Sequence, residues 1–169
     1  MRTLNTNHQD HYKVQSHQKY FYKYLYNLWI PLKNCSRENA LKYEINPDKI
    51  GIMGFSAGGA VTMEATYKSS EKNRPNFIAP IYPWMKIVDD QEPPAYGPPI
   101  FIVCTTEDAF KLAIPSAEIY ADWAERNYVC ELHLYHHGKH GFGMRKTNHP
   151  VDKWFDNMVD WIDAIGMLN

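Results

Sequence analysis

The stretch "GIMGFSAGG", residues 51–59, holds four of the chain's nine glycines around a single serine, Ser56. Immediately before it, "IGIMGF" is a short apolar run, the pattern of a strand buried on both faces. Immediately after it, "AGGAVTMEATYKSS" reads as a helix. Glycines crowd a strand-to-helix junction when the turn is too tight for side chains. Gly54-Phe55-Ser56-Ala57-Gly58 fits G-x-S-x-G, and the flanking strand and helix supply the context a nucleophile elbow requires. On this reading, side chains at Gly54 and Gly58 would collide with neighbouring backbone. Ser56 sits in a strained conformation at the tip, and the following helix points free N–H groups at it. A phosphate-cradling loop is the competing reading. G-x-x-x-x-G-K-[ST] is absent, and G-x-G-x-x-G does not occur in register.

The rest of the chain continues the alternation. "SRENALKYE" predicts a short helix with Ser36 at its N-cap, and "INPDK" a turn. "FIAPIY" (77–82), "IFIVCT" (100–105) and "CELHLYH" (130–136) are strands. "PWMKIVDDQEPPAYGPP" is a proline-rich loop. "PSAEIYADWAERN" is a helix whose small face (Ala117, Ala121, Ala124) is expected near a sheet. "PVDKWFDNMVDWIDAIG" is an amphipathic helix with Trp154, Met158, Trp161, Ile162 and Ile165 inside, Asp152, Asp156, Asp160 and Asp163 outside, and Gly166 as its stop. Strands alternating with helices predict an α/β fold with a mostly parallel sheet of four strands in chain order. Right-handed crossovers are expected to put helices on both faces.

A serine nucleophile needs a base, and the base an orienting acid. In this architecture they follow in the order Ser, Asp, His, on loops after later strands. The strand "IFIVCT" runs into "TEDAF", which offers Glu107 and Asp108. The strand "CELHLYH" runs into "HGKHGFG", which offers His136, His137 and His140. Asp108 is preferred because it lies further out on its loop, with Glu107 as the fallback. His140 is preferred because the glycine-rich "GKHGFG" lets a mobile loop bring imidazole to the serine. Asp108 lies 52 residues after Ser56 and 32 before His140, room for βα units between them. The histidines of "HLYHHGKH" also raise a metal site, the less favoured reading of that loop. No metal or organic cofactor is therefore expected.

Composition narrows the partners. The 169 residues are 44% hydrophobic and 14% aromatic, enough for a packed core. A net charge of −1 gives no basis for a nucleic-acid or anionic-membrane partner. The apolar runs are too short to span a bilayer, and no stretch reads as a signal peptide. As written, the chain is expected in the cytoplasm unless a lost N-terminus carried an export signal. Cys35, Cys104 and Cys130 form no disulfide framework or C-x-x-C pair and read as idle thiols.

The stretches "NPDKIGIMGFSAGGAV", "PPIFIVCTTEDAF" and "HGFGMRK" resemble the α/β-hydrolase superfamily, in its dienelactone-hydrolase-like and acetylxylan or feruloyl esterase-like branch. The resemblance runs from about Glu38 to Leu168. It implies a three-layer sheet and a serine esterase: Ser56 as nucleophile, Asp108 as acid, His140 as base and the Ala57 N–H as an oxyanion donor. It implies small ester or acylated saccharide substrates, such as acetyl or feruloyl esters of plant polysaccharide. It also implies further strands before the elbow and an H-G-G-G-type loop. Neither is legible in the 55 residues that precede Ser56. Residues 1–35 are therefore expected to be an atypical N-terminal segment, with a helix over 18–30. Residues 36–169 are expected to be the C-terminal portion of a hydrolase domain, truncated to about four strands. The alternative function is a truncated, inactive remnant that depends on a partner or self-associates through an uncovered sheet edge.

Overall fold

The computed structural model describes residues 37–88 and 92–168. The helix expected over 18–30, the Ser36 cap, Cys35 and the segment 1–35 lie outside the described residues. The four apolar runs are strands: β1 (Gly51–Phe55), β2 (Phe77–Ile81), β3 (Ile100–Thr105) and β4 (Cys130–Tyr135). All neighbouring pairs are parallel, and the spatial order is β1-β2-β3-β4, as the alternation predicts. The helices are α1 (Ala40–Tyr43), α2 (Ala57–Tyr67), α3 (Ala113–Glu125) and α4 (Trp154–Ala164). Short 3-10 turns occupy Met85–Ile87 and Pro150–Lys153.

Strand residues alternate between faces, so β2 and β3 divide two cores between them. Ile78, Ile100 and Ile102 pack with Met63 of α2 and with Ile119 and Trp123 of α3. Ala79, Ile81, Phe101 and Val103 pack with Val151 and with Trp154, Met158 and Trp161 of α4. The result is three layers. The crossover helices α2 and α3 share one face, which corrects the expectation that crossovers populate both. The strand order advances in one direction, so crossovers of one hand keep returning to the same side. The opposite face is covered by α4, which follows the last strand and folds back over the sheet.

Burial also departs from the sequence reading at β1. Only Gly54 of β1 is buried, and Met53 is 44% exposed. Among the described residues β1 has a strand partner on the β2 side only. Inner strand β3 is buried along its whole length. In α3 the buried residues are Ser116, Ile119 and Trp123, whereas Ala121 and Ala124 are exposed. The larger apolar side chains win the inward face because they remove more area from water. The Trp123 indole N–H donates to Pro98 O at 2.9 Å, so its polar atom is satisfied inside the core.

Helix α4 follows its predicted stripe. Trp154, Met158 and Trp161 are buried, and Ile162 and Ile165 are partly so. Asp156, Asp160 and Asp163 are exposed. Gly166 ends the helix at φ +71°, and the Met167 N–H returns to Ile162 O. Asp152 is the exception. It turns back to accept hydrogen bonds from the Thr147 hydroxyl and the Thr147 and Asn148 N–H groups, pinning the preceding loop.

Candidate active site

Ser56 is the single residue between β1 and α2, at φ +53° and ψ −114°. That left-handed φ is strained for a residue with a Cβ. Three backbone bonds hold it there. Its N–H donates to Ile81 O at 2.9 Å, and its carbonyl accepts from the N–H groups of Ala60 and Trp84. A Cβ on Gly54 would lie 2.1 Å from Gly58 O, so the first glycine is sterically required. The second expectation is corrected among the described residues: a Cβ on Gly58 would meet none of them within 4 Å. The tight neighbour is Gly59, whose Cβ would stand 3.0 Å from Pro83 Cα. Ala57 opens α2, so its N–H has no partner in the helical ladder.

The loop after β3 presents Asp108, which is 4% exposed. Its Oδ1 accepts the Phe110 N–H at 2.8 Å, and its Oδ2 accepts from His140 Nδ1 at 2.7 Å. An ionised carboxylate only accepts, so the proton sits on Nδ1 and leaves Nε2 as an acceptor. His140 Nε2 lies 2.8 Å from Ser56 Oγ. The three residues singled out from the sequence are thus one connected chain of hydrogen bonds at the carboxyl ends of parallel strands, where open α/β sheets place their sites.

The loop bearing His140, expected to be mobile, is tied at both ends. Thr105 Oγ1 donates to the Gly138 carbonyl, and the Trp154 indole N–H donates to Gly143 O at 2.8 Å. Gly138, Gly141 and Gly143 all adopt positive φ, which explains the glycine density of "HGKHGFG".

Glu107 bonds His137 and Gly138 rather than His140. It pairs with His137 Nδ1 at 3.0 Å and accepts the Gly138 N–H. These contacts, that N–H foremost, hold its carboxyl below the usual range. His136 bonds Thr106 Oγ1. Glu107, His136 and His137 therefore cluster at the surface, their donor atoms within 4.8 Å of one another. The carboxylate that joins these two histidines comes from the loop after the neighbouring strand β3. A cleft of about 310 Å³ runs past the site, lined by Glu107, Lys139, His140, Phe142, Arg145 and His149 among others. Burial pushes the Cys104 thiol up to about 11, so it is not a nucleophile at neutral pH.

Sequence reasoning missed the aromatic frame. Tyr82 and Phe110 both meet the His140 ring edge to face, and Trp84 stacks on Phe110. The available signal was position: "YPW" leaves the carboxyl end of β2, beside the elbow.

Comparison with known proteins places the chain among relatives. The dienelactone hydrolase family matches residues 32–164. An acetylxylan esterase of Xylanibacter ruminicola is 24% identical over 159 residues, covering 76% of this chain and 33% of its own. An α/β-hydrolase enzyme from a Medee basin deep-sea metagenome library superposes with TM-score 0.68 at 27% identity, covering 79% of this chain and 61% of that one. An acetyl ester-xyloside bifunctional hydrolase from Caldicellulosiruptor lactoaceticus gives 0.70 at 22% identity, covering 83% and 65%. The chain thus spans about a third of the curated relative and under two thirds of these two structures. With the parallel sheet and a family match over most of its length, the chain belongs to the dienelactone hydrolase family and has the α/β-hydrolase fold.

Proposed function

We propose that this chain carries the catalytic centre of a carboxylic ester hydrolase that works through a serine acyl-enzyme. The observation that carries this is the continuous path Ser56 Oγ to His140 Nε2 at 2.8 Å, and His140 Nδ1 to Asp108 Oδ2 at 2.7 Å. Ser56 Oγ attacks the ester carbonyl carbon while its proton passes to His140 Nε2. Asp108 keeps the other proton on Nδ1 and stabilises the imidazolium. The Ala57 N–H, at the positive end of α2, donates to the developing oxyanion. The imidazolium then protonates the departing alcohol, leaving Ser56 acylated. Water attacks the acyl carbon and gives its proton to Nε2. The acid leaves, and the proton returns to Ser56 Oγ. No step requires a cofactor.

Substrates would be small esters or acylated saccharides. The acetylxylan esterase relative favours acetyl groups on plant polysaccharide, with feruloyl esters as the other member of this class. An inactive remnant is not favoured, because the strained serine, the base and the acid are all in bonding register. The test is labelling with a fluorophosphonate and turnover of p-nitrophenyl acetate, each beside Ser56→Ala. Serine-dependent labelling and release support the proposal. A wild-type chain that is folded, unlabelled and inert would refute it.

A further inference from the structure

Three donors outside the Ser56 site converge without any structural duty that needs all of them. Glu107 comes from the loop after β3; His136 and His137 come from the loop after β4. All three are exposed, and one ligand atom from each lies within 4.8 Å of the others. We propose that Glu107, His136 and His137 form a binding site for one zinc-class divalent cation, which clamps the loop bearing Asp108 to the loop bearing His140.

The donor set selects the metal class. Two imidazoles and one carboxylate suit zinc and its transition-metal neighbours, whereas calcium and magnesium prefer oxygen donors throughout. Zinc bonds of about 2.0–2.2 Å bring tetrahedral donors to roughly 3.4 Å of one another. Closing the cluster to that spacing asks only for rotations of exposed side chains. The outer shell is already in place. Thr106 Oγ1 lies 3.1 Å from His136 Nδ1, which orients that ring and leaves its Nε2 open. The Gly138 N–H holds Glu107 Oε2 at 3.3 Å, which leaves Oε1 toward His137. His149, from a third segment, lies with its ring centroid 4.9 Å from that of His137. It packs on the His137 ring, and water would complete the tetrahedral shell.

The placement gives the site a consequence. Glu107 immediately precedes Asp108, and His137 is three residues before His140. A cation shared by Glu107 and His137 therefore ties together the two loops whose relative position sets the bond between Asp108 and His140. The metal acts here by positioning, not on substrate.

The experiment is zinc titration by calorimetry of the full chain, purified without a polyhistidine tag. Saturable binding of one zinc per chain is expected, with no response to magnesium or calcium. The His136→Ala/His137→Ala double variant should weaken it by at least about tenfold, as should Glu107→Gln. Should a variant fold poorly by circular dichroism, cobalt added to the wild-type chain supplies a second readout, the visible bands of a nitrogen- and oxygen-liganded ion. Zinc should also raise the folded-to-unfolded ratio, by about 100-fold at 100 times Kd. Ser56→Ala should bind zinc as the wild type does, so the result stands apart from any hydrolase assay. No saturable binding below millimolar zinc, or binding unchanged in the folded double variant, would overturn the proposal.

Discussion

The ring of Tyr82 stands edge-on to the imidazole of His140, with centroids 5.1 Å apart and planes at 68°. Tyr82 is 3% exposed and sits at φ +38°, just beyond the end of β2. Its N–H is bonded to Val103 O, so the strained residue is held by the sheet itself. Phe110 meets the same imidazole at 4.6 Å and 87°. The strand next to the elbow and the loop bearing Asp108 thus both contribute an aromatic wall that fixes the plane of the His140 ring. Such pairs are worth roughly 0.5–1.5 kcal/mol each beyond their burial.

Phe110→Ala removes one wall while keeping the backbone N–H that anchors Asp108. Phe110 is 45% exposed, so little stability should be lost. Turnover should fall by about 10- to 100-fold, because an imidazole free to tilt loses its alignment with Ser56 Oγ. Tyr82→Phe keeps its ring and should stay within a few-fold of wild type, by about the same reasoning. Steady-state assay on p-nitrophenyl acetate, with thermal melts alongside, checks both. Unchanged kcat in Phe110→Ala would show that Asp108 alone orients the ring.

Asp108→Asn leaves the shape of the acid but cannot stabilise the imidazolium or enforce the Nδ1–H tautomer. Turnover should drop by about 10⁴-fold. The rate of fluorophosphonate labelling at Ser56 should drop with it, while the melting temperature moves little. A drop of less than tenfold would move the acid's role to another carboxylate.

What the sequence makes legible here is tied to period and punctuation. The strands of five or six residues, the α4 stripe and the elbow are local patterns, and each appears where its residues predict. Asp108 and His140 are legible because strand ends in a parallel sheet share one side. What escapes is whatever depends on which elements become neighbours. The exposure of Met53 follows from the position of β1 at the edge of the described sheet. The Glu107 cluster unites residues about 30 apart in the chain. The aromatic frame needs β2 beside β1 and the β4 loop over both. Gly58 looks identical to Gly59 as a letter, and only the placing of Pro83 and of the Gly54 carbonyl separates them.

That last difference is measurable. Gly54→Ala would push a methyl into Gly58 O, and overpacking of this kind costs roughly 1–3 kcal/mol. It should also disturb Ser56. Gly58→Ala would touch none of the described residues outside its own helix, lies in α2, and should stabilise by about 0.5–1 kcal/mol. Urea melts of the two variants should move in opposite directions. A destabilised Gly58→Ala would overturn this reading of the two glycines.

Trp161 is 6% exposed and joins Phe77 and Phe101 beneath the sheet, at 6.3 and 5.5 Å between ring centroids. It fastens α4 to the strands. Trp161→Ala should cost about 3–5 kcal/mol. For a domain of this size that is a fall of roughly 6–20 °C in Tm. A change inside experimental error would show that α4 is only loosely docked.

Asp152 gives a pH test with a definite sign. Hydrogen bonds from the Thr147 hydroxyl and then from the Thr147 and Asn148 N–H groups hold its carboxyl below the ordinary 3.8. A folded-state value lower than the unfolded one means that the ionised form stabilises the fold. That contribution is complete above the unfolded value and is lost as pH falls through the folded value. Asp152→Asn has the shape of the protonated acid and carries no charge. It should therefore melt below wild type at neutral pH, and the gap should narrow as the pH is taken below 3.8. The carboxyl is solvent-facing, so added salt should shrink the neutral-pH gap as well. Paired melting curves over this range decide it. An offset independent of pH would mean that shape alone, and not charge, lets Asp152 pin the loop between Gly143 and α4.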